Sequence, residues 1–152
     1  MEALINAVKS GKQVYAFIEV KARFDEEANL RWGEQLEKAG IVVRYSFPGL
    51  KVHSKLALVR RLEPDGPQLY SYLSTGNFHE VTARIYSDQG LFTSDKRITS
   101  EVARIFSFLE TVKLPSEEFK HLLVGQFNLR KTLIQLIDFE IAEAGAGRPA
   151  SI

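Results

Sequence analysis

One short segment of the sequence combines a histidine with two nearby lysines. Residues 48–61 read PGLKVHSKLALVRR, in which His53 lies between Lys51 and Lys55 at two-residue spacing. Side chains two residues apart on a strand point to the same face of the sheet, so these three are predicted to lie together. Positive charges near an imidazole disfavour its protonation, which keeps the ring neutral and nucleophilic near pH 7. The same charges would neutralise a bound phosphate, and the segment is therefore a candidate phosphate site.

A structural interpretation of His53 competes with this one. A lone histidine on a strand is more often a hydrogen-bonded structural residue than a catalyst, and exposed lysines on a strand can simply discourage edge-to-edge pairing. The two flanking lysines favour phosphate chemistry. His79 and His121 have no comparable cationic or carboxylate context, and we expect them to be a loop residue and a strand-start residue.

Three further places could meet the same ligand. Arg23 follows the first apolar strand, at the carboxyl end where ligands gather in open α/β sheets, although it could be an ordinary exposed cation paired with nearby acidic residues. The turn STGN, at 74–77, has backbone N–H groups that could bind an oxyanion, although a plain turn is the simpler interpretation. Arg84 would add a phosphate partner, and Tyr86 an aromatic face or a hydroxyl.

Composition limits the function classes. The chain has 152 residues with 45% hydrophobic composition, enough for one globular domain with a core. Its 20 basic and 19 acidic residues create no overall field for nucleic acid or membrane, so a basic site must be local. The absence of cysteine excludes disulfides, thiolate nucleophiles and cysteine-based zinc sites. No apolar run has membrane-spanning length, no signal-peptide pattern is present, and no P-loop motif occurs, so a soluble cytoplasmic protein is expected.

The first fifty residues predict a βαβ unit. QVYAFIEV, at 13–20, is typical of a strand covered on both faces. Asp25 is predicted to cap a helix whose buried face holds Ala28, Trp32, Leu36 and Ala39. IVVRYSF follows as a second strand, which this connection makes parallel to the first.

The remaining chain predicts a hairpin and two helices. Strands over 52–62 and 69–73 flank the turn EPDGPQ, and polar residues then form a loop. The segment DKRITSEVARIFSFLE is a predicted helix, HLLVGQ a short strand, and FNLRKTLIQLIDFEIAEAG an amphipathic helix. The pattern indicates an α/β fold. Since the last helix begins a strand–helix unit that stops, we expect the chain to be a piece of a longer protein.

Two long runs of the sequence resemble one family. They are VKARFDEEANLRWGEQLEKAGIVVRYSFPGLKVHSKLAL and LSTGNFHEVTARIYSDQGLFTSDKRITSEVARIF, and they are similar to type 1 polyphosphate kinase in order and spacing over nearly the whole chain. The resemblance implies a phospholipase D-like mixed sheet flanked by helices. It implies that residues 1–125 are the first phospholipase D-like catalytic domain. Residues 126–152 would be a connecting helix and the truncated start of the second such domain.

The resemblance also implies roles for individual residues. His53 matches the histidine that becomes phosphorylated, and Lys55 matches the lysine of the H-x-K signature. Asn77, in TGN, matches the polar end of that signature, and Tyr86 matches a tyrosine implicated in ATP contact. Arg23 matches an arginine associated with the Mg²⁺ site, where a guanidinium would hold phosphate oxygens rather than the metal itself. Lys51 and Arg84 are kept as additional candidates for ATP or phosphate binding.

The reaction implied is reversible transfer of the γ-phosphoryl group of ATP to inorganic polyphosphate, with Mg²⁺ as cofactor. The expected partners are ATP, ADP and polyphosphate, without nucleic acid or a transmembrane segment. The full-length enzyme is expected to be a cytoplasmic homo-oligomer, with membrane association left open. The partner histidine and the N-terminal ATP-binding regions of the family have no counterpart here, so the fragment alone is expected to be inactive.

Two alternatives stay open from the residues themselves. A phosphodiesterase of the phospholipase D type would use the same histidine, but the Asp that follows H-x-K in that signature is replaced here by the apolar and basic run KLALVRR. A non-catalytic module that binds polyphosphate or another polyanion would need only the local basic charge.

Overall fold

The computed structural model describes residues 1–20 and 26–151. Over these ranges the chain alternates helices with strands, which confirms the α/β class. A helix near the N-terminus and a short fifth strand were not predicted from the sequence. The elements are α1 (Glu2–Lys9), β1 (Tyr15–Ile18), α2 (Glu26–Lys38), β2 (Val42–Tyr45), β3 (Lys55–Glu63), β4 (Gly66–Ser74), a 3₁₀ turn (Thr82–Arg84), β5 (Gly90–Thr93), α3 (Lys96–Thr111) and α4 (Leu129–Gly145).

The predicted βαβ unit is confirmed. Strands β1 and β2 are parallel, in a register that runs from Tyr15 opposite Val42 to Ile18 opposite Tyr45. The small core beside them contains the buried side chains Leu36, Ile41 and Val43, against which residues of α1 and β1 pack. The residues of β1 are only half-buried, so the strand is less covered than its apolar sequence predicted.

The buried face of α2 differs in part from the predicted one. Leu36 is buried as expected, but Trp32 is 44% exposed and Gly33 takes its place against the sheet. Gly33 lies so close to the ring of Tyr45 that a side chain there would collide with it. Close packing thus selects the smallest residue of the turn. The Asp25 cap predicted for this helix lies outside the described residues.

The predicted hairpin is also confirmed. Strands β3 and β4 pair in antiparallel register from Lys55 opposite Ser74 to Glu63 opposite Gly66. Strand β5 adds to β4, with Gly90 opposite Ser74. The first strand of the hairpin begins at Lys55 rather than at Val52, so Lys51 and His53 precede the sheet. Among the described residues, β1 and β2 form a sheet separate from that of β3, β4 and β5.

Helix α3 covers the antiparallel sheet. Asp95 caps the helix by accepting a hydrogen bond from the Arg97 N–H at 2.9 Å. Hydrogen bonds from Arg97 lower the pKa of Asp95 to about 2, and the bonds from its side chain contribute more than the bond from its backbone N–H. Val102 and Leu109, both predicted on the apolar face, are buried. Glu101 is buried as well, which the apolar pattern did not predict.

Glu101 organises the loop that follows α3. Its carboxylate accepts hydrogen bonds from the backbone N–H groups of Lys120 at 2.8 Å, of His121 at 3.1 and 3.2 Å, and of Leu122 at 2.8 Å. The Nδ1 atom of His121 lies 3.0 Å from Oε1 of Glu101. The prediction of a strand over HLLVGQ is therefore wrong, because these N–H groups bond to a side chain and not to a neighbouring strand.

We expect replacement of Glu101 by glutamine to lower the free energy of unfolding at pH 7 by about 1–3 kcal/mol, because an amide cannot accept all of these hydrogen bonds. Burial by itself would raise the pKa of Glu101, but the hydrogen bonds from Lys120, His121 and Leu122 outweigh it and lower that pKa. A depressed carboxyl pKa stabilises the fold above the unfolded value of about 4.3, and the contribution is lost as the pH falls towards the folded value. Urea unfolding of the wild type and of E101Q between pH 7 and pH 3 measures this difference.

The exposed Glu118, on the same loop, provides the matched control. We expect E118Q to keep the wild-type stability at pH 7 and its dependence on pH. Identical unfolding curves for E101Q and E118Q would contradict the role given to Glu101.

Helix α4 is present as predicted, but its apolar residues are spread more widely around the helix than those of α3, and none of its residues is buried. The apolar side chains Leu133, Leu136, Ile137 and Ile141 are each more than 40% exposed. The periodicity therefore identified the helix but not a surface that covers it. Within the described ranges, no helix is both long enough and apolar enough to cross a membrane.

Candidate active site

His53 lies beside a buried lysine. Lys55, the first residue of β3, is only 9% exposed. Its Nζ atom donates a hydrogen bond to the backbone oxygen of His53 at 2.8 Å. The same atom lies 3.2 Å from Nδ1 and 3.3 Å from Nε2 of the His53 ring. The ammonium group of Lys55 is therefore close to both ring nitrogens of His53 at once.

The arrangement is suited to accepting an electrophile that carries negative charge. The His53 side chain is exposed, whereas Lys55 is buried. A hydrogen bond from Lys55 Nζ to the backbone oxygen of His53 holds the positive charge in place. An exposed nucleophile beside a fixed cation can attack phosphorus while the cation stabilises the phosphoryl oxygens. The prediction that Lys51, His53 and Lys55 share one face of a strand is wrong, because β3 begins at Lys55 and both Lys51 and His53 precede it. The contact between Lys55 and His53 forms all the same. Its cause is the lysine side chain folding back onto the segment before the strand.

The strand register brings three chain segments to one edge of the antiparallel sheet. Lys55 is opposite Ser74, and Ser74 is opposite Gly90. Residues 51–54, which contain His53, therefore end at the same edge where the turn 74–77 begins and where residues 86–89 lead into β5. The sheet places the predicted candidates Lys51, Asn77 and Tyr86 on these segments.

The turn 74–77 is held by its own hydrogen bonds. The Thr75 N–H donates to the Gln89 oxygen at 3.0 Å, and the Gly76 N–H donates to Ser74 Oγ at 2.9 Å. Thr75 Oγ1 in turn donates to Asp88 Oδ1 at 3.3 Å. These N–H groups are paired within the protein, which favours a structural turn over an oxyanion cradle. A side chain at Gly76 would collide with the Asp88 carboxylate, so the turn requires glycine.

The other predicted candidates are at the surface. Arg84 forms an ion pair with Glu80, with Nη2 at 2.6 Å from Oε1, and both side chains are exposed. Tyr86 is 66% exposed, and Lys51 and Asn77 are exposed too. Within residues 1–20 and 26–151, no hydrogen bond or ion pair links any of these four side chains to His53. Arg23 lies outside the described residues, so its assignment stays a prediction.

Sequence reasoning missed one group near this site. Glu19, directly after β1, accepts a hydrogen bond from the backbone N–H of Val52 at 2.9 Å, next to His53. A lone carboxylate at the end of an apolar strand was the available signal.

The chain matches one family description and its relatives. The family described as "Polyphosphate kinase C-terminal domain 1" matches residues 1–115. Proteins named polyphosphate kinase from Vibrio parahaemolyticus and Yersinia pestis are 47% and 49% identical over all 152 residues. The chain covers 22% of the length of each.

A solved structure shows the same fold. The crystal structure of polyphosphate kinase from Porphyromonas gingivalis superposes with a TM-score of 0.80 at 46% identity. The match covers 96% of this chain and 24% of that one. A family match over most of the chain, supported by relatives and a solved structure of this similarity, leads to one conclusion. The chain belongs to the polyphosphate kinase family.

Proposed function

We propose that the chain contributes the phosphoryl-accepting histidine of a longer polyphosphate kinase. The observation that carries the proposal is the contact between the exposed His53 ring and the ammonium group of Lys55, a buried residue. Family membership supplies the substrates, since relatives named polyphosphate kinase share nearly half of this sequence.

The reaction takes place in two in-line steps at His53. In the first, a ring nitrogen attacks the γ-phosphorus of ATP, a nitrogen–phosphorus bond forms, and the bond to the bridging oxygen breaks so that ADP leaves with the electron pair. In the second, a terminal oxygen of polyphosphate attacks the phosphohistidine and the ring nitrogen leaves. Division into two transfers is covalent catalysis, and the reverse order makes ATP from ADP and polyphosphate. Lys55 stabilises the equatorial oxygens in both steps.

We propose that magnesium arrives bound to the phosphates of ATP. Mg²⁺ prefers oxygen ligands and is often held through substrate phosphates with few protein ligands. The described residues bring together no group of three histidine or acidic side chains that could hold a metal ion. Arg23 would hold the same phosphates, as the family resemblance implies.

The domain assignment follows the resemblance. We propose that residues 1–125 are one catalytic domain and that residues 126–152 connect to the next, because α4 carries an apolar face that no described residue buries. A fragment of this size would lack the remaining groups of the active site and is expected to be inactive alone. The homo-oligomeric state and the cytoplasmic location stay predictions.

The full-length enzyme tests the function directly. We expect it to transfer radioactive γ-phosphate from ATP to acid-insoluble polyphosphate, and to return ATP when ADP is supplied. The phosphodiesterase alternative predicts hydrolysis of a diester such as bis-p-nitrophenyl phosphate. The polyanion-binding alternative predicts salt-dependent binding of polyphosphate with no transfer at all.

A further inference from the structure

Glu19 fixes the segment that carries His53. It follows the last residue of β1, and its two carboxylate oxygens bind different parts of the chain. Oε1 accepts a hydrogen bond from Ser46 Oγ at 2.9 Å, and Oε2 accepts one from the Val52 N–H at 2.9 Å. Ser46 follows β2, and its Oγ also accepts a hydrogen bond from the Val20 N–H at 3.0 Å. The carboxylate therefore joins the ends of the two parallel strands to the residue before His53.

These bonds lie on the N-terminal side of His53. Residues 46–54 connect the parallel sheet to the antiparallel one, and the chain turns at Gly49 with φ 88°. Glu19 binds this connection near its beginning, at Ser46, and near its end, at Val52. On the other side, Lys55 Nζ binds the backbone oxygen of His53 at 2.8 Å. The backbone of His53 is thus held from both directions.

We infer that Glu19 is a positioning residue for His53, an inference that rests on the proposed function. A nucleophile must stay within a narrow range of distance and angle to the phosphorus for in-line attack. A displacement of about 1 Å can cost on the order of 10²-fold in rate. Release of Val52 would allow this displacement, while the sheet that begins at Lys55 stays paired.

Glutamine separates the geometry of Glu19 from its charge. Its amide oxygen can still accept the Val52 N–H. Its NH₂ group can donate to Ser46 Oγ, because a hydroxyl accepts as well as donates. Alanine removes both connections. A positioning role therefore predicts that E19A forms phosphohistidine slowly and that E19Q forms it at nearly the wild-type rate. A role for the negative charge predicts that both variants are slow.

The experiment uses the full-length enzyme with E19A, E19Q and the control E27A, which removes an exposed carboxylate on α2. The first measurement is the single-turnover rate of phosphohistidine formation from ATP, with its KM for ATP. The second is hydrogen exchange, without ATP, in a peptide that contains the Val52 amide. We expect E19A to form phosphohistidine about 100-fold more slowly at a nearly unchanged KM, with faster exchange at Val52. E19Q and E27A should stay within a few-fold of wild type in both measurements.

Three results would overturn the inference. Equal losses in E19Q and E19A would assign the effect to charge. Faster exchange at Val52 in E19A with an unchanged rate would make Glu19 a purely structural residue. Unchanged exchange in E19A would show that the carboxylate does not hold the segment. Absence of phosphohistidine in the wild type would instead reject the proposed function. The wild-type measurement alone therefore distinguishes failure of the proposed function from failure of the inference about Glu19.

Discussion

Replacement of His53 by alanine in the full-length enzyme should abolish the acid-labile label that ATP leaves on the protein. The proposed function makes the exposed His53 the nucleophile, and Lys55 Nζ lies 3.2 Å from its Nδ1 atom. Loss of a covalent nucleophile commonly costs on the order of 10⁴-fold or more in rate. The measurement is incubation with radioactive γ-labelled ATP, followed by denaturation and comparison of the label before and after acid treatment.

The matched control is His79→Ala. His79 is also exposed, but its Nδ1 accepts a hydrogen bond from the Thr82 N–H at 3.3 Å within its own loop. We expect H79A to be labelled as the wild type is. Persistence of the acid-labile label on H53A would reject His53 as the phosphoryl acceptor, and its loss from H79A would move the assignment to that loop.

The elements of this fold were predictable where burial imposes a period on the sequence. Val102 and Leu109 follow the helical spacing because one face of α3 packs on the antiparallel sheet. The strands β1 and β2 were found because apolar runs flank a helix of suitable length. Strand β5 was not predictable from the sequence, because it has only four residues and Phe92 is 81% exposed. Such a strand has no alternation of buried and exposed residues.

Sequence patterns gave no guide to what covers an apolar face. Leu133, Leu136, Ile137 and Ile141 of α4 follow a helical spacing, as the buried residues of α3 do, yet they are exposed in the described structure. Periodicity reports that a face is apolar, and the surface that covers it can belong to distant parts of a longer protein. In the same way, the pattern on α2 could not distinguish Trp32 from Gly33 as the residue against Tyr45, because that choice depends on close packing.

The sequence identified candidate residues of the site better than it identified the contacts between them. The spacing of His53 and Lys55 identified the pair, and the register of β3, β4 and β5 explains why Asn77 and Tyr86 are on neighbouring segments. The bonds of Glu19 join residues 19 and 52, which are distant in sequence. Local sequence patterns carry no information about a contact between residues so far apart, because it depends on how the chain folds between them.

Lys55→Met is expected to slow phosphohistidine formation in the full-length enzyme by about 10²–10³-fold, the usual effect of removing one donor that stabilises charge in a transition state. Methionine keeps the long apolar stem in a position that is 9% exposed, so the packing around β3 should survive. The substitution removes the ammonium group that lies 3.2 Å from the ring of His53 and 2.8 Å from its backbone oxygen. Single-turnover labelling by ATP measures the rate, and thermal unfolding checks that the fold is retained.

Lys51→Met separates the contact from the charge. Lys51 is exposed, and its loss changes the net charge of the same segment by the same amount as the loss of Lys55. A charge in water is screened, and no described contact joins Lys51 to His53, whereas the ammonium group of Lys55 lies 3.2 Å from Nδ1 of the His53 ring. We therefore expect K51M to lose far less activity than K55M. Equal losses in the two variants would mean that the basic charge of the segment, and not the contact of Lys55 with His53, stabilises the transferred group.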